Sequence, residues 1–101
     1  MELIIVTGLS GAGKSHAAHC LEDIGYYCVD NMPPGLMKDF INLSEAKGGF
    51  EKIAFITDVR GGQFFDELED GLSELKLSEI DYRIMFLEAY TAVLFRRYKE
   101  T

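Results

Sequence analysis

The chain has 101 residues, the length of one domain that can bury a hydrophobic core. It carries 17 Asp and Glu residues against 10 Lys and Arg, a formal charge of −7. This acidic balance argues against nonspecific binding of nucleic acid, because a negative surface repels the phosphate backbone. It does not exclude one mononucleotide, since local donors and a Mg²⁺ ion can override the overall field.

No targeting or membrane segment is evident. The N-terminal stretch MELIIVTG has no basic region and is too short to be a signal peptide. No apolar run approaches the roughly 20 residues that span a bilayer. Cys20 and Cys28 have no His or Cys partner at metal-ligand spacing, so we interpret both as reduced core thiols. These features predict a cytoplasmic protein without a membrane partner.

Strand and helix patterns alternate from the start of the chain. The β-rich run Glu2–Thr7 is followed by helical spacing over Lys14–Ile24, which Gly25 is placed to end. A second strand is predicted over Tyr26–Asp30 and a second helix over Leu36–Lys47. The apolar face of that helix is expected to consist of Leu36, Phe40 and Leu43.

The same alternation continues through the second half. Lys52–Asp58 predicts a third strand, and Tyr82–Leu87 predicts a fourth. Ala89–Lys99 is expected to begin a fourth helix. The apolar spacing that marks the third helix comes from Phe65, Leu68, Leu72 and Leu75.

Four strand–helix units predict an α/β fold, with right-handed crossovers, a parallel sheet and helices on both faces. We expect the strand Glu2–Thr7 at the centre. The chain stops inside the predicted fourth helix, so we expect a domain truncated before its last strand. Tyr82–Leu87 would then form an apolar edge that invites pairing with another chain, including a second copy.

The segment between the first strand and the first helix carries the strongest motif. It matches G-x-x-x-x-G-K-[ST] and comprises Gly8, Leu9, Ser10, Gly11, Ala12, Gly13, Lys14 and Ser15. Its glycines permit tight curvature, and the following helix N-terminus favours phosphate. Lys14 can reach β- and γ-phosphate oxygens, and Ser15 offers its hydroxyl to Mg²⁺. The pattern predicts a triphosphate site of the P-loop NTPase type with kinase-like βα units; the alternative is an ordinary Gly-rich turn.

Charged residues near strand ends are further candidates. Asp58 ends the third strand at the edge where parallel sheets bind ligands, and it could hold Mg²⁺ directly or through water. Asp30 ends the second strand, where it could meet a phosphoryl acceptor. Both aspartates could instead be turn or capping residues. Arg60 could contact phosphate or lie on the surface.

The remaining charged candidates are weaker. Arg96 and Arg97 could stabilise transferred charge or lie on a solvated helix face. His16 and His19 lie on the polar side of the first helix, and we expect no catalytic role from either.

Four segments together resemble the RapZ/YvcJ family of bacterial P-loop nucleotide-binding proteins, which includes the RNase adapter protein. They are GLSGAGKS, LEDIGYYCVDNMP, DVRG, and FLEA followed by LFRRYKET. A P-loop alone would not single out this family, whereas the second and third segments are far more specific. The resemblance covers the whole chain but only about the first third of a family member.

The resemblance implies ATP and GTP binding with NTPase activity. Gly8–Ser15 would bind ATP, and Asp58, Val59, Arg60 and Gly61 would form a guanine-nucleotide segment. The residues themselves, apart from the resemblance, lead us to predict Lys14 and Asp58 as catalytic, with Ser15 and Asp58 as Mg²⁺ ligands. In the adapter member a C-terminal domain, absent here, binds small RNA and presents it to a ribonuclease. A lid-like Arg-rich stretch would follow Thr101, so at most weak hydrolysis is expected.

Two other functions remain open from the residues. A small-molecule kinase would use the same βα units and Asp30, and a binding module would hold nucleotide without turnover. A P-loop contacts phosphates and not the base, so the sequence does not decide between ATP and GTP.

Overall fold

The computed structural model describes residues 1–8, 13–58, 62–88 and 91–96. The strands are β1 (Glu2–Gly8), β2 (Tyr27–Val29), β3 (Lys52–Ile56), β4 (Arg83–Glu88) and β5 (Thr91–Arg96). The α-helices are α1 (Lys14–Asp23), α2 (Met37–Ala46) and α3 (Gly62–Leu77). A short 3-10 helix, Pro34–Leu36, leads directly into α2. Within the described ranges, no helix is long and apolar enough to cross a membrane.

The strands form one sheet in the order β2-β3-β1-β4-β5. β1 pairs in parallel with β3 and with β4, and β2 pairs in parallel with β3. The predicted parallel α/β sheet with β1 at its centre is therefore confirmed. Parallel pairing brings the carboxyl ends of β1 to β4 to one edge, which is where such sheets bind ligands.

Helices cover both faces of the sheet, as predicted. Leu3 and Ile5 of β1 belong to a buried cluster with Met37 and Ile41 of α2 and with α3. Ile4 and Val6 belong to a second cluster that includes Leu21 of α1. Residues 3–6 of β1 are at most 6% exposed. Burial on both sides explains why this strand is uniformly apolar and does not alternate.

Helix α1 ends where the sequence predicts. Gly25 adopts a φ of 98°, and its amide donates a 3.0 Å hydrogen bond to the carbonyl of Glu22. The next amide, of Tyr26, reaches the carbonyl of Leu21 at 3.0 Å. This paired arrangement is the Schellman motif, in which glycine adopts the left-handed conformation without strain.

The predicted fourth helix is wrong over Thr91–Arg96, which forms the antiparallel strand β5 paired with β4. The rest of that prediction lies outside the described residues. Only two residues separate β4 from β5, a connection that suits an antiparallel hairpin. Pairing also satisfies the outer backbone groups of β4, which outweighs local helical spacing. The prediction that Tyr82–Leu87 forms an unpaired apolar edge is therefore wrong. The argument that this edge would pair two copies of the chain fails with it.

The predicted apolar face of α2 is wrong for Leu36 and Leu43, whereas Phe40 packs against the core as predicted. Met37 and Ile41 are fully buried, whereas Leu36 is 53% exposed and Leu43 is 62% exposed. Both stripes have helical spacing, so the packing against α3 decides between them. A Cβ on Gly71 of α3 would lie 2.9 Å from the Met37 Cε atom, which shows how closely α3 approaches Met37.

The prediction for α3 holds with one exception. Leu68 and Leu75 are buried and Leu72 is half-buried against the core. Phe65 is 49% exposed, and the neighbouring Phe64 packs against the core instead.

The two faces of α2 predict different costs of truncation. Ile41→Ala leaves a cavity in the core, so we expect a loss of about 2–5 kcal/mol in the free energy of unfolding. Leu43→Ala, the matched truncation on the exposed face, should change it by no more than about 0.5 kcal/mol. Urea denaturation of both variants measures the difference. Equal losses would show that the exposed stripe is part of the core.

Candidate functional site

A cleft of about 440 Å³ opens at the carboxyl-end edge of the sheet. Its walls come from the start of α1 and from residues at the ends of β2 and β3. The cleft is lined by Lys14, Ser15, Ala18, His19, Glu22, Cys28, Asp30, Asn31, Ile56 and Asp58. Four residues singled out from the sequence therefore lie around one cavity, namely Lys14, Ser15, Asp30 and Asp58.

The N-terminus of α1 borders this cleft. Gly13 precedes the helix in the left-handed conformation, with φ 91° and ψ 24°. Its carbonyl accepts the amide of Ala17 at 3.1 Å, so the helix starts at once. The first turn contains no acidic residue and Gly13 provides no side-chain cap. The partial positive charge of the helix end is thus available to an anion.

Lys14 and Asp58 form an ion pair across the cleft. The Nζ atom of Lys14 lies 3.0 Å from Oδ1 of Asp58, and the two side chains are 11% and 26% exposed. The same Nζ atom donates to the carbonyl oxygen of Gly8 at 3.5 Å. A partly buried ammonium group needs such partners, because burial removes its hydration. An anion that binds Lys14 therefore competes with the carboxylate.

Gly8 lies where β1 and β4 approach most closely. A Cβ atom on Gly8 would overlap the Leu87 carbonyl oxygen and lie 3.1 Å from the Leu87 Cβ atom. The first glycine of the motif is therefore required by packing, because the obstructing atom is backbone and cannot rotate away.

Several sequence candidates lie outside the described residues. They are Leu9, Ser10, Gly11, Ala12, Val59, Arg60, Gly61 and Arg97. Arg96 is described only as the last residue of β5. The segment Asp58–Gly61 stays a prediction beyond its first residue.

Two buried threonines immediately precede Gly8 and Asp58. Thr7 is 2% exposed and Thr57 is 1% exposed. Neither hydroxyl has a hydrogen-bond partner among the described residues. A buried, unsatisfied hydroxyl costs about 1–3 kcal/mol. Such costs concentrate at functional sites, and here they fall at the strand ends that form the cleft.

The sequence analysis missed one wall of the cleft. Ser15, Ala18, His19 and Glu22 follow one another at i, i+3, i+4 and i+7, so they share one face of α1. This spacing could have predicted the wall from the sequence, because residues at these intervals from Ser15 lie on the same face of the helix. The imidazole of His19 lies 3.7 Å from the Glu22 carboxylate, and both side chains are exposed.

The two cysteines differ from each other. Cys28 is half-buried, and its Sγ atom donates to the carbonyl of Ala18 at 3.5 Å. Burial, and then the charge of Glu22, raise the pKa of the Cys28 thiol, which favours the protonated form. Cys20 is exposed, so its interpretation as a core thiol is wrong. The orientation of α1 directs the Cys20 side chain away from the sheet and toward His16. The Sγ atom of Cys20 lies 3.7 Å from Nε2 of His16.

The oxygen donors at the cleft suit Mg²⁺. Ser15 presents a hydroxyl and Asp58 a carboxylate, both hard ligands. Among the described residues, no three His, Cys, Asp or Glu side chains cluster as a metal cage. Protein-bound Mg²⁺ accompanying phosphates takes only one or two protein ligands and keeps several waters. The donor set therefore fits the ion.

The match to known proteins extends over the whole chain. The family model of the RapZ-like N-terminal domain matches residues 1–101. The chain therefore belongs to the RapZ-like N-terminal domain family, as the resemblance indicated.

Curated relatives share the same 101-residue region. A protein of Syntrophomonas wolfei is 57% identical over all of this chain and 34% of its own length. Proteins of Heliobacterium modesticaldum and Clostridium beijerinckii are 53% and 52% identical over all of this chain. Each of the three is named a nucleotide-binding protein. The chain spans about a third of the length of these relatives.

The contact at Gly8 predicts an asymmetry between glycines. Gly8→Ala forces the backbones of β1 and β4 apart, which should cost about 1–3 kcal/mol in the free energy of unfolding. Gly35→Ala is the matched control, because an added Cβ there meets nothing within 4 Å. That variant should keep or slightly raise stability. Denaturant unfolding compares the two, and a Gly8→Ala protein as stable as the parent would contradict the packing argument.

Proposed function

We propose that the chain binds a Mg²⁺-nucleoside triphosphate, ATP or GTP, in the cleft and hydrolyses it slowly. In this proposal it serves as the nucleotide-binding domain of a RapZ-like regulatory adapter. The observation that carries the proposal is the placement of Lys14 at the N-terminus of α1, 3.0 Å from Asp58, in one cleft.

Phosphate recognition follows from local charge. A Cβ on Gly13 would meet none of the described residues within 4 Å. The helix N-terminus and the Lys14 ammonium group both favour an anion at this point. These local groups outweigh the overall charge of −7 because they act at contact distance.

Ser15 and Asp58 would hold the metal ion. When bound, Mg²⁺ neutralises charge that develops on the phosphate oxygens during transfer. Lys14 would balance the remaining charge, and Asp58 would orient the metal or an attacking water. Lys14 is the only Lys or Arg among the described residues that line the cleft.

The relatives support nucleotide as the ligand, since the three are named for nucleotide binding. Asp58–Gly61 is proposed as the guanine-nucleotide segment. Any RNA or ribonuclease partner would be engaged through the two thirds of the relatives' length that this chain does not span. A reducing cytoplasm suits Cys20 and Cys28, neither of which forms a disulfide.

Lys14→Ala tests the phosphate contact. Removing a charge-assisted hydrogen bond of about 1.5–3 kcal/mol should weaken Mg²⁺-ATP and Mg²⁺-GTP binding about ten- to a hundred-fold. Lys76→Ala removes an equal charge from the last turn of α3 and should leave affinity unchanged. Calorimetric titration of the three proteins measures the effect. Equal affinity of Lys14→Ala and the parent would sink the proposal.

Asp58→Asn tests the metal contact. The amide keeps the size of the side chain but removes the anion, so the Mg²⁺ dependence of nucleotide binding and of phosphate release should weaken. The loss of the partly buried ion pair with Lys14 should also lower the free energy of unfolding, by about 1–3 kcal/mol, so the Mg²⁺ dependence is the deciding measurement. Asp66→Asn, on α3, is the charge-matched control. A large fall in melting temperature with unchanged Mg²⁺ dependence would make Asp58 a purely structural residue.

A further inference from the structure

A second cavity of about 290 Å³ lies beside the cleft. It runs between the outer face of α2 and the residues that follow β2, and we refer to it as the α2 groove. Its principal lining residues are Asp30, Met32, Leu36, Asp39, Phe40 and Leu43. Its volume is close to the lower end of the range for small-molecule sites.

The wall of the α2 groove is an apolar stripe of which only Phe40 packs against the core. Leu36 and Leu43 are 53% and 62% exposed, although they lie one and two residues from the buried Met37 and Ile41. Phe40 stands between them, its ring edge-on to Phe55 at a centroid distance of 5.5 Å. This contact holds the Phe40 ring in place as one wall of the groove. Leu36 and Leu43 stay exposed and can contact a ligand.

The floor and the rim differ in character. Met32 forms a floor that is only 6% exposed. Asp30 and Asp39 add two carboxylates at the rim, and none of the described lining residues is Lys, Arg or His. Burial of an apolar body in the groove would therefore contribute favourable binding free energy. At the rim, a cationic group would be attracted and an anionic group would be repelled.

The α2 groove adjoins the nucleotide cleft. Asp30 and Asn31 line both cavities. Asn31 has a φ of 58°, and the amide of Met32 donates to the carbonyl of Ile56 at 2.9 Å. This bond ties the shared segment to the strand that ends beside Asp58. A molecule in the groove thus contacts the same two residues as a molecule in the cleft.

We propose that the α2 groove binds a small molecule with an apolar body and a protonated amine, next to the nucleotide. Its binding is coupled to that of the triphosphate, a part of the inference that rests on the proposed function. The ammonium group and the triphosphate are neighbouring opposite charges, so each increases the affinity of the other. The groove itself is defined by residues outside the phosphate site and can be tested without nucleotide.

The first experiment uses two probes that share a phenyl ring and a three-carbon chain and carry head groups of opposite charge. 3-Phenylpropylamine and 3-phenylpropionate are titrated separately into the nucleotide-free protein, with methyl shifts followed by NMR. The amine should move the signals of Met32, Leu36 and Leu43. It should bind about three- to tenfold more tightly than the carboxylate, because one probe is attracted and the other repelled at an exposed rim.

Two variants with matched controls locate the site. Leu43→Ser removes apolar wall and should weaken amine binding about five- to tenfold. Leu77→Ser, at a leucine 84% exposed on α3, should have no effect. Asp39→Asn should reduce the preference for the amine over the carboxylate, while Asp66→Asn should not. Both Leu43 and Asp39 are exposed, and neither lines the nucleotide cleft.

The outcomes separate the groove from the nucleotide site. Three results would overturn the proposed groove site, whatever the nucleotide affinity: equal binding of both probes, shifts confined to other residues, or no effect of Leu43→Ser. Groove signals that shift with protein concentration without any probe would make a second copy the occupant and overturn it too. Saturating Mg²⁺-ATP should tighten amine binding about two- to fivefold. If nucleotide binds through Lys14 and amine affinity does not change, the coupling is wrong.

Discussion

The parallel pairing of β1 with both β3 and β4 is the constraint on which the site depends. Because these strands run in the same direction, their carboxyl ends meet at one edge, and Gly8, Asp58 and Leu87 become neighbours. The same pairing lets Lys14, at the start of α1, reach a carboxylate that lies 44 positions further along the chain at 3.0 Å. It also leaves no room for a side chain at Gly8.

Elements with a single consistent pattern were predictable from the sequence. Residues 3–6 are apolar throughout because helices cover both faces of the sheet, so the strand was identified although it does not alternate. The juxtaposition of Lys14 and Asp58 followed from the parallel topology that the alternation implied. What could not be predicted depended on contacts between elements. The two apolar stripes around α2 have equivalent spacing, and packing against the sheet and α3 selects the one that contains Met37 and Ile41.

Two other errors have the same origin. The local spacing of Thr91–Arg96 favours a helix, but the open edge of β4 and a two-residue connection favour a hairpin. The sequence does not show that Cys20 is exposed, because exposure depends on how α1 is rotated over the sheet. The same rotation places His19 at the cleft. In each case contacts between elements, and not local spacing, decide the outcome.

The Lys14–Asp58 pair also shapes how the proposed ligand would enter. A triphosphate alone would satisfy Lys14 but leave Asp58 beside added negative charge, in a protein whose net charge is already −7. A metal ion alone would satisfy Asp58 and leave Lys14 beside a cation. If both bound together, as proposed, the phosphates would replace Asp58 as the partner of Lys14, and the metal would replace Lys14 as the partner of Asp58. Under the proposed function, the pair would therefore favour the metal–nucleotide complex over either component, because each of the two side chains would exchange one partner of opposite charge for another.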